Sequence, residues 1–193
     1  MQAALPLIRI ALPALLTVCI IIGTFGVQFK YDIDGTSFLW VYFYMETGAY
    51  DNPVYFSKVG WKLFGCPAPF HLINSALAMG VIGCASSLAA VATSALLFKA
   101  PTNAPIVLAS RVSCFFATLT IFATLTLAVV FYTSKFCNAN FYLSDDWSLG
   151  YGFIFLVISA TITSLWCLLE IIIAVTRSGG RGGAIDEITP LNA

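Results

Sequence analysis

Hydrophobic and polar positions come in long blocks along this chain rather than in short periods. Four apolar runs, at about 4–27, 71–98, 106–133 and 149–175, are separated by one long and two short polar intervals. A helix rises 1.5 Å per residue, so about 20 apolar residues cross a hydrocarbon core of about 30 Å. Each run meets that length. The pattern predicts an all-α membrane protein: a four-transmembrane-helix bundle over residues 1–176, with a long first extramembrane loop at 28–70. A glycine-rich polar tail at 177–193 follows and is expected to be flexible and cytoplasmic.

The first run has a rival reading as a cleavable signal peptide. That reading needs a basic start, an apolar stretch of about 7–15 residues and a small-residue cleavage site. Arg9 is the one early charge and the apolar stretch after it is longer, which favours a retained helix, kinked at Pro13. The connectors are KAPTNAP at 99–105, with two prolines, and SKFCNANFYLSDDWS at 134–148. Four spans place both termini on one side. Arg9, Lys99, Arg111, Arg177 and Arg181 fall there, while Lys30, Lys58, Lys62 and Lys135 fall opposite. The first group flanks the shorter connectors, which set orientation, so both termini are expected in the cytoplasm.

Inside the long loop, SFLWVYFYM at 37–45 and VYFSKVGWKLF at 54–64 are dense in aromatic and β-branched residues. ETGAYDNP at 46–53 separates them with turn chemistry. The expectation is a small β-hairpin across the outer end of the bundle, presenting Trp40, Tyr42, Tyr44, Tyr55 and Trp61 as a contact surface. The alternative is a segment lying at headgroup level, where Trp and Tyr collect. Cys66 precedes the second run and Cys137 follows the third, both on the outer side. They form a disulfide in an oxidising compartment, or remain two free thiols. Cys19, Cys84, Cys114 and Cys167 lie within the runs and read as small apolar fillers.

The second run repeats small residues at helical spacing: Ala76, Gly80 and Cys84; Gly83 and Ser87; Ser86, Ala90 and Ser94. Small residues let helix backbones approach closely in lipid, so this helix is expected to sit centrally and touch more than one partner. A pore-lining role would need a polar stripe, and Ser and Thr are scattered. Three ionisable residues enter the apolar runs: Arg9, Arg111 and Glu170, each roughly 8–10 Å from the cytoplasmic interface. The arginines are long enough to snorkel to the headgroups. Glu170 is not, and is expected to pair with Arg9 or Arg111. A proton relay would need a second buried acid or an in-span histidine, and the runs offer neither.

Composition narrows the function classes. Of 193 residues, 60% are hydrophobic and 9% charged, with a mean hydropathy of +0.92. A soluble domain carries about 25% charged residues. The formal net charge is zero, which leaves no basic footprint for nucleic acid. His71 is the one histidine, and no metal or cofactor is expected. Motifs for a nucleophile elbow, a zinc protease, a dithiol C-x-x-C or a phosphate loop are missing, so no enzymatic activity is expected.

Three stretches carry a family likeness: Gly60-Trp61-Lys62-Leu63-Phe64-Gly65-Cys66, the third run passing through Tyr132 to Cys137, and LGYGFIFLV at 149–157. With the overall layout they resemble the claudin-like four-span architecture, and within it the amastins of trypanosomatids. The first is similar to the amastin loop signature of Trp, Gly and Lys followed by Cys, although this loop holds Cys66 alone. The resemblance implies a surface or endomembrane protein that acts through contacts with lipid, partners or another membrane. The competing expectation is a structural accessory subunit of a large membrane complex, for example a protist respiratory or transport assembly. A small transporter is a third. The expected partners are the bilayer and either further membrane subunits or copies of the chain itself. The expected site is the plasma membrane or an endomembrane, with the mitochondrial inner membrane as the alternative.

Overall fold

The computed structural model describes residues 4–32, 38–43, 46–49, 54–57, 68–100, 103–135 and 147–179. Helices α1 (Ala4–Phe25), α2 (Ala68–Lys99), α3 (Ala104–Thr133) and α4 (Tyr151–Gly179) fall on the four apolar runs. Three of them, α2, α3 and α4, are long and apolar enough to cross a membrane. The fold is predominantly helical and consistent with an integral membrane protein. The fourth helix, α1, has 22 residues, and its described apolar part, Ile10–Phe25, is shorter.

Local chemistry sets the helix ends. Asn103 holds extended backbone ahead of α3 and a proline occupies the first turn, where its missing N–H needs no partner. At the other end Ser134 turns extended while its N–H still bonds the Val130 carbonyl at 3.0 Å. Lys99 closes α2 where a cation favours the negative end of the helix dipole. Helix α1 continues through Pro13, and Thr17 donates its hydroxyl to the Pro13 carbonyl at 2.8 Å. Elsewhere Thr120, Thr124, Ser159 and Ser164 each bond the carbonyl four residues earlier. These hydroxyls satisfy themselves on their own helix, which lets them sit in an apolar bundle at little cost.

The helices form a ring. Helix α1 packs on α2 and α4, and α3 packs on the same two. The expected central position of α2 gives way to this arrangement, in which every helix has two main neighbours. The small residues of α2 divide between its two contact faces. A Cβ on Gly80 would stand 2.7 Å from Thr24 of α1, and one on Gly83 would stand 3.2 Å from Thr120 of α3. Large apolar side chains, among them Ile82, Phe115, Leu119, Ile154 and Leu168, face outward around the ring.

Above one end of the ring lies a sheet. Its strands are β1 (Phe29–Asp32), β2 (Phe38–Val41), β3 (Glu46–Ala49), β4 (Val54–Ser57) and β5 (Ser148–Leu149). All neighbours are antiparallel, in the order β4-β3-β2-β1-β5. This corrects the expected hairpin. The two aromatic stretches do not pair with each other, because Glu46–Ala49, read as turn, is itself a strand between them. The stretch before them supplies β1, and the short connector ahead of α4 supplies β5.

Candidate functional site

The sheet is fastened to the helices at one junction, and the sequence explains why it lies there. The chain leaves α1 through Gly26, Val27 and Gln28 and enters α4 through Gly150, Tyr151 and Gly152. These two crossings touch backbone to backbone. Gly150 N–H bonds the Gln28 carbonyl at 2.8 Å, and Gly152 N–H bonds the Val27 carbonyl at 2.7 Å. A Cβ on either glycine would collide with the Val27 carbonyl, and one on Gly152 would also stand 2.6 Å from Gln28 Nε2. Only glycine fits such an approach. Gln28 N–H bonds the Val41 carbonyl at 2.8 Å, which extends the β1–β2 pairing to the bundle. The Gln28 side chain is fully buried, and its amide Nε2 donates to the carbonyls of Gly23 and Gly26, tying off the end of α1.

Phe29 is the pin of this junction. Fully buried, it stacks on Tyr132 with ring centroids 5.4 Å apart and 7° between planes, and meets Phe131 at 5.5 Å and Phe153 at 6.3 Å. Tyr132 in turn donates its hydroxyl to the Trp147 carbonyl at 2.6 Å, and Trp147 stacks on Tyr31 at 5.5 Å. Val41 and Phe43 join Phe29 in a core cluster with Ile73, Ala128 and Leu156. Phe29 and Val41, partners across the β1–β2 pair, are thereby buried against residues of α2, α3 and α4. The next residue, Lys30, is exposed, as the period of two requires. Ser148 Oγ donates to the Lys30 carbonyl at 3.2 Å and steadies β5.

Of the residues expected to form the contact surface, Trp40, Tyr42 and Tyr55 lie among the described residues. Trp40 lies in β2 in the cross-strand row of Lys30 and Thr47, whereas Tyr55 lies in β4 opposite Gly48, in the row that leads through Leu39 to Tyr31. The two thus lie in adjacent cross-strand rows. Tyr42 is half-buried just beyond β2. Tyr44 and Trp61 lie outside the described residues, and so do Cys66 and Cys137 of the expected disulfide.

No family model matches this chain, and no curated protein matches it.

The second candidate region is at the other end of the ring. Arg111 lies in α3 about 10 Å from its first residue at 1.5 Å per residue, and Glu170 lies in the last third of α4. The structure brings both to the wall of one cavity of about 270 Å³, together with Cys114, Phe115, Cys167, Ile171 and Ala174. Arg111 is exposed and Glu170 is buried. Arg9 belongs to α1 at the same end, and its side chain lies outside the described residues. Among the described residues no group of three or more His, Cys, Asp or Glu is arranged to hold a metal ion.

Sequence reasoning missed Phe29, Gln28 and Trp147. The signal for Phe29 was present as an alternation of Phe29, Lys30 and Tyr31, but three residues are too few to separate a strand from a helix exit. For Gln28 no signal existed, because its partners come from the geometry of the α1 exit.

Proposed function

We propose that this protein is a non-enzymatic, four-span integral membrane protein of claudin-like, amastin-like layout, which works through its outer sheet as a contact surface. In this reading α1 is the fourth span, both termini are cytoplasmic and the sheet lies on the opposite side. A helix of 22 residues is about 33 Å long, enough for a hydrocarbon core of about 30 Å. The single observation that carries the proposal is the built platform: two connectors far apart in sequence are joined in one sheet and pinned to the helix ends by Phe29. A connector that merely links helices needs no such fastening. A rigid sheet with one face on the bundle leaves its other face, marked by exposed Lys30, to meet something outside the bilayer.

The test is to isolate the full chain from its own membrane in a mild detergent, cross-link at Lys30 and measure its native mass. The expected result is a small homo-oligomer or a discrete pair, with cross-links from Lys30 to the contact partner. A species of many hundreds of kilodaltons with Lys30 buried among other subunits would replace this reading with the accessory-subunit one.

A further inference from the structure

The bundle holds a pair of sulfur atoms that pack in its core and take no part in the outer platform. Cys114 of α3 and Cys167 of α4 face each other across the helix interface with their Sγ atoms 3.2 Å apart. Thr118 Oγ1 stands 3.0 Å from Cys167 Sγ, 2.9 Å from Thr163 Oγ1 and 2.8 Å from the Cys114 carbonyl. One hydroxyl has one proton to share among these acceptors, so Thr118 can turn it toward the Cys167 sulfur. The pair is also reachable. Both cysteines line the 270 Å³ cavity, whose wall also includes the exposed side chains of Phe115 and Ile171. Cys167 is half-buried and Cys114 buried, which makes Cys167 the more exposed of the two sulfurs. Two small fillers would need neither the cavity nor the shared hydroxyl.

We propose that Cys114 and Cys167 form an intramembrane dithiol that a hydroperoxide oxidises, stoichiometrically, to a disulfide linking α3 and α4. The Cys167 sulfur attacks the terminal oxygen of R–O–O–H. The O–O bond breaks, R–OH leaves with the thiol proton, and Cys167 becomes a sulfenic acid. The Cys114 sulfur then attacks that sulfur; the S–S bond forms, the S–O bond breaks, and water leaves with the second thiol proton. Two thiols have given two electrons to the O–O bond. The sulfurs move from 3.2 Å to a covalent separation of about 2.0 Å. Arg111 on the cavity wall favours negative charge on the attacking sulfur, and the Glu170 carboxyl on the same wall opposes it, leaving Thr118 as the closest aid. The hydroperoxide comes either from an oxidised acyl chain entering sideways or from hydrogen peroxide.

The full chain, reduced and reconstituted in vesicles, is exposed in one arm to hydrogen peroxide and in the other to vesicles carrying an acyl-chain hydroperoxide. Remaining thiols are then alkylated and the peptides weighed. The expected result is a joint loss of alkylation at Cys114 and Cys167 and one cross-linked peptide lacking two hydrogens. Cys19 and Cys84 serve as internal controls and stay alkylated. The faster arm identifies the source. In Cys114→Ser the cross-link is lost and Cys167 stops at a sulfenic acid that a diketone probe captures. Full alkylation of both cysteines in both arms, or loss of all four thiols at equal rates without the cross-linked peptide, would overturn the proposal. The wild-type measurement stands even if the serine variant fails to fold.

Discussion

The two ends of the helical ring are held together by different means. At the outer end, segments more than a hundred residues apart in sequence interlock: Gln28 and Val27 with Gly150 and Gly152, and Phe29 with Tyr132 and Phe153. Backbone hydrogen bonds join strands to helix starts there, and a stack of aromatic rings fills the space beneath. At the inner end, the helices meet through a mixed apolar and polar interface. Trp166, Leu16, Ala90 and Cys114 belong to its core cluster, and Thr118 and Thr163 exchange a hydrogen bond across it. Arg111, Glu170 and the cavity they line lie beside it. Contacts between segments distant in the chain are concentrated at the sheet end, where packing fixes the strands to the helix starts. In the apolar interior each helix satisfies its own backbone, and the interface tolerates a void and a few polar contacts.

That contrast can be broken by substitution. The largest effect is expected at Phe29→Ala, which removes a fully buried ring from the junction and lowers stability by about 3–5 kcal/mol. The unfolding midpoint of the detergent-solubilised chain measures it. A change as small as that of a surface residue would mean the sheet is not pinned there. Next comes Gly152→Ala, whose added methyl group meets the Val27 carbonyl and Gln28 Nε2, and which is expected to cost about 1–3 kcal/mol. Proteolysis near the sheet should rise with it while the helices stay protected.

At the inner end the steps are smaller. If Glu170 is paired with Arg111, Glu170→Gln and Arg111→Gln each lose about 1–2 kcal/mol, and the double variant loses no more than one of them. Arg111 is exposed, which keeps the figure below the roughly 3–5 kcal/mol of a fully buried pair. Additive losses would assign Glu170 to another partner, Arg9 included. The smallest effect is expected from Thr163→Val, which gives up one interhelical hydrogen bond worth about 0.6 kcal/mol in a membrane interior. A loss at Thr163 as large as at Phe29 would abolish the distinction between the two ends.

The helices were legible because their signal is continuous: three of them are long and apolar enough to cross a membrane, and no tertiary contact is needed to see it. Strand-forming stretches around Trp40 and Tyr55 were also legible in their aromatic and β-branched content. The pairing was not. ETGAYDNP has turn chemistry, and yet Glu46–Ala49 is a strand, because β2 on one side and β4 on the other satisfy its backbone. Local propensity is overridden when neighbours supply both ladders. The small-residue faces of α2 were visible as spacing, while their division between Thr24 and Thr120 depended on which helices came to lie beside them.

By itself, then, the sequence determined the four helices, three of them long and apolar enough to cross a membrane, because hydropathy over about 20 residues outweighs any local preference. Tertiary structure alone decided that β5 joins β1 across the short connector, that Phe29 fastens the sheet, and that Arg111 and Glu170 share one wall with two cysteines. Each of these unites residues distant in the chain. Such contacts depend on how helices are ordered around the ring, and no run of neighbouring residues encodes that order.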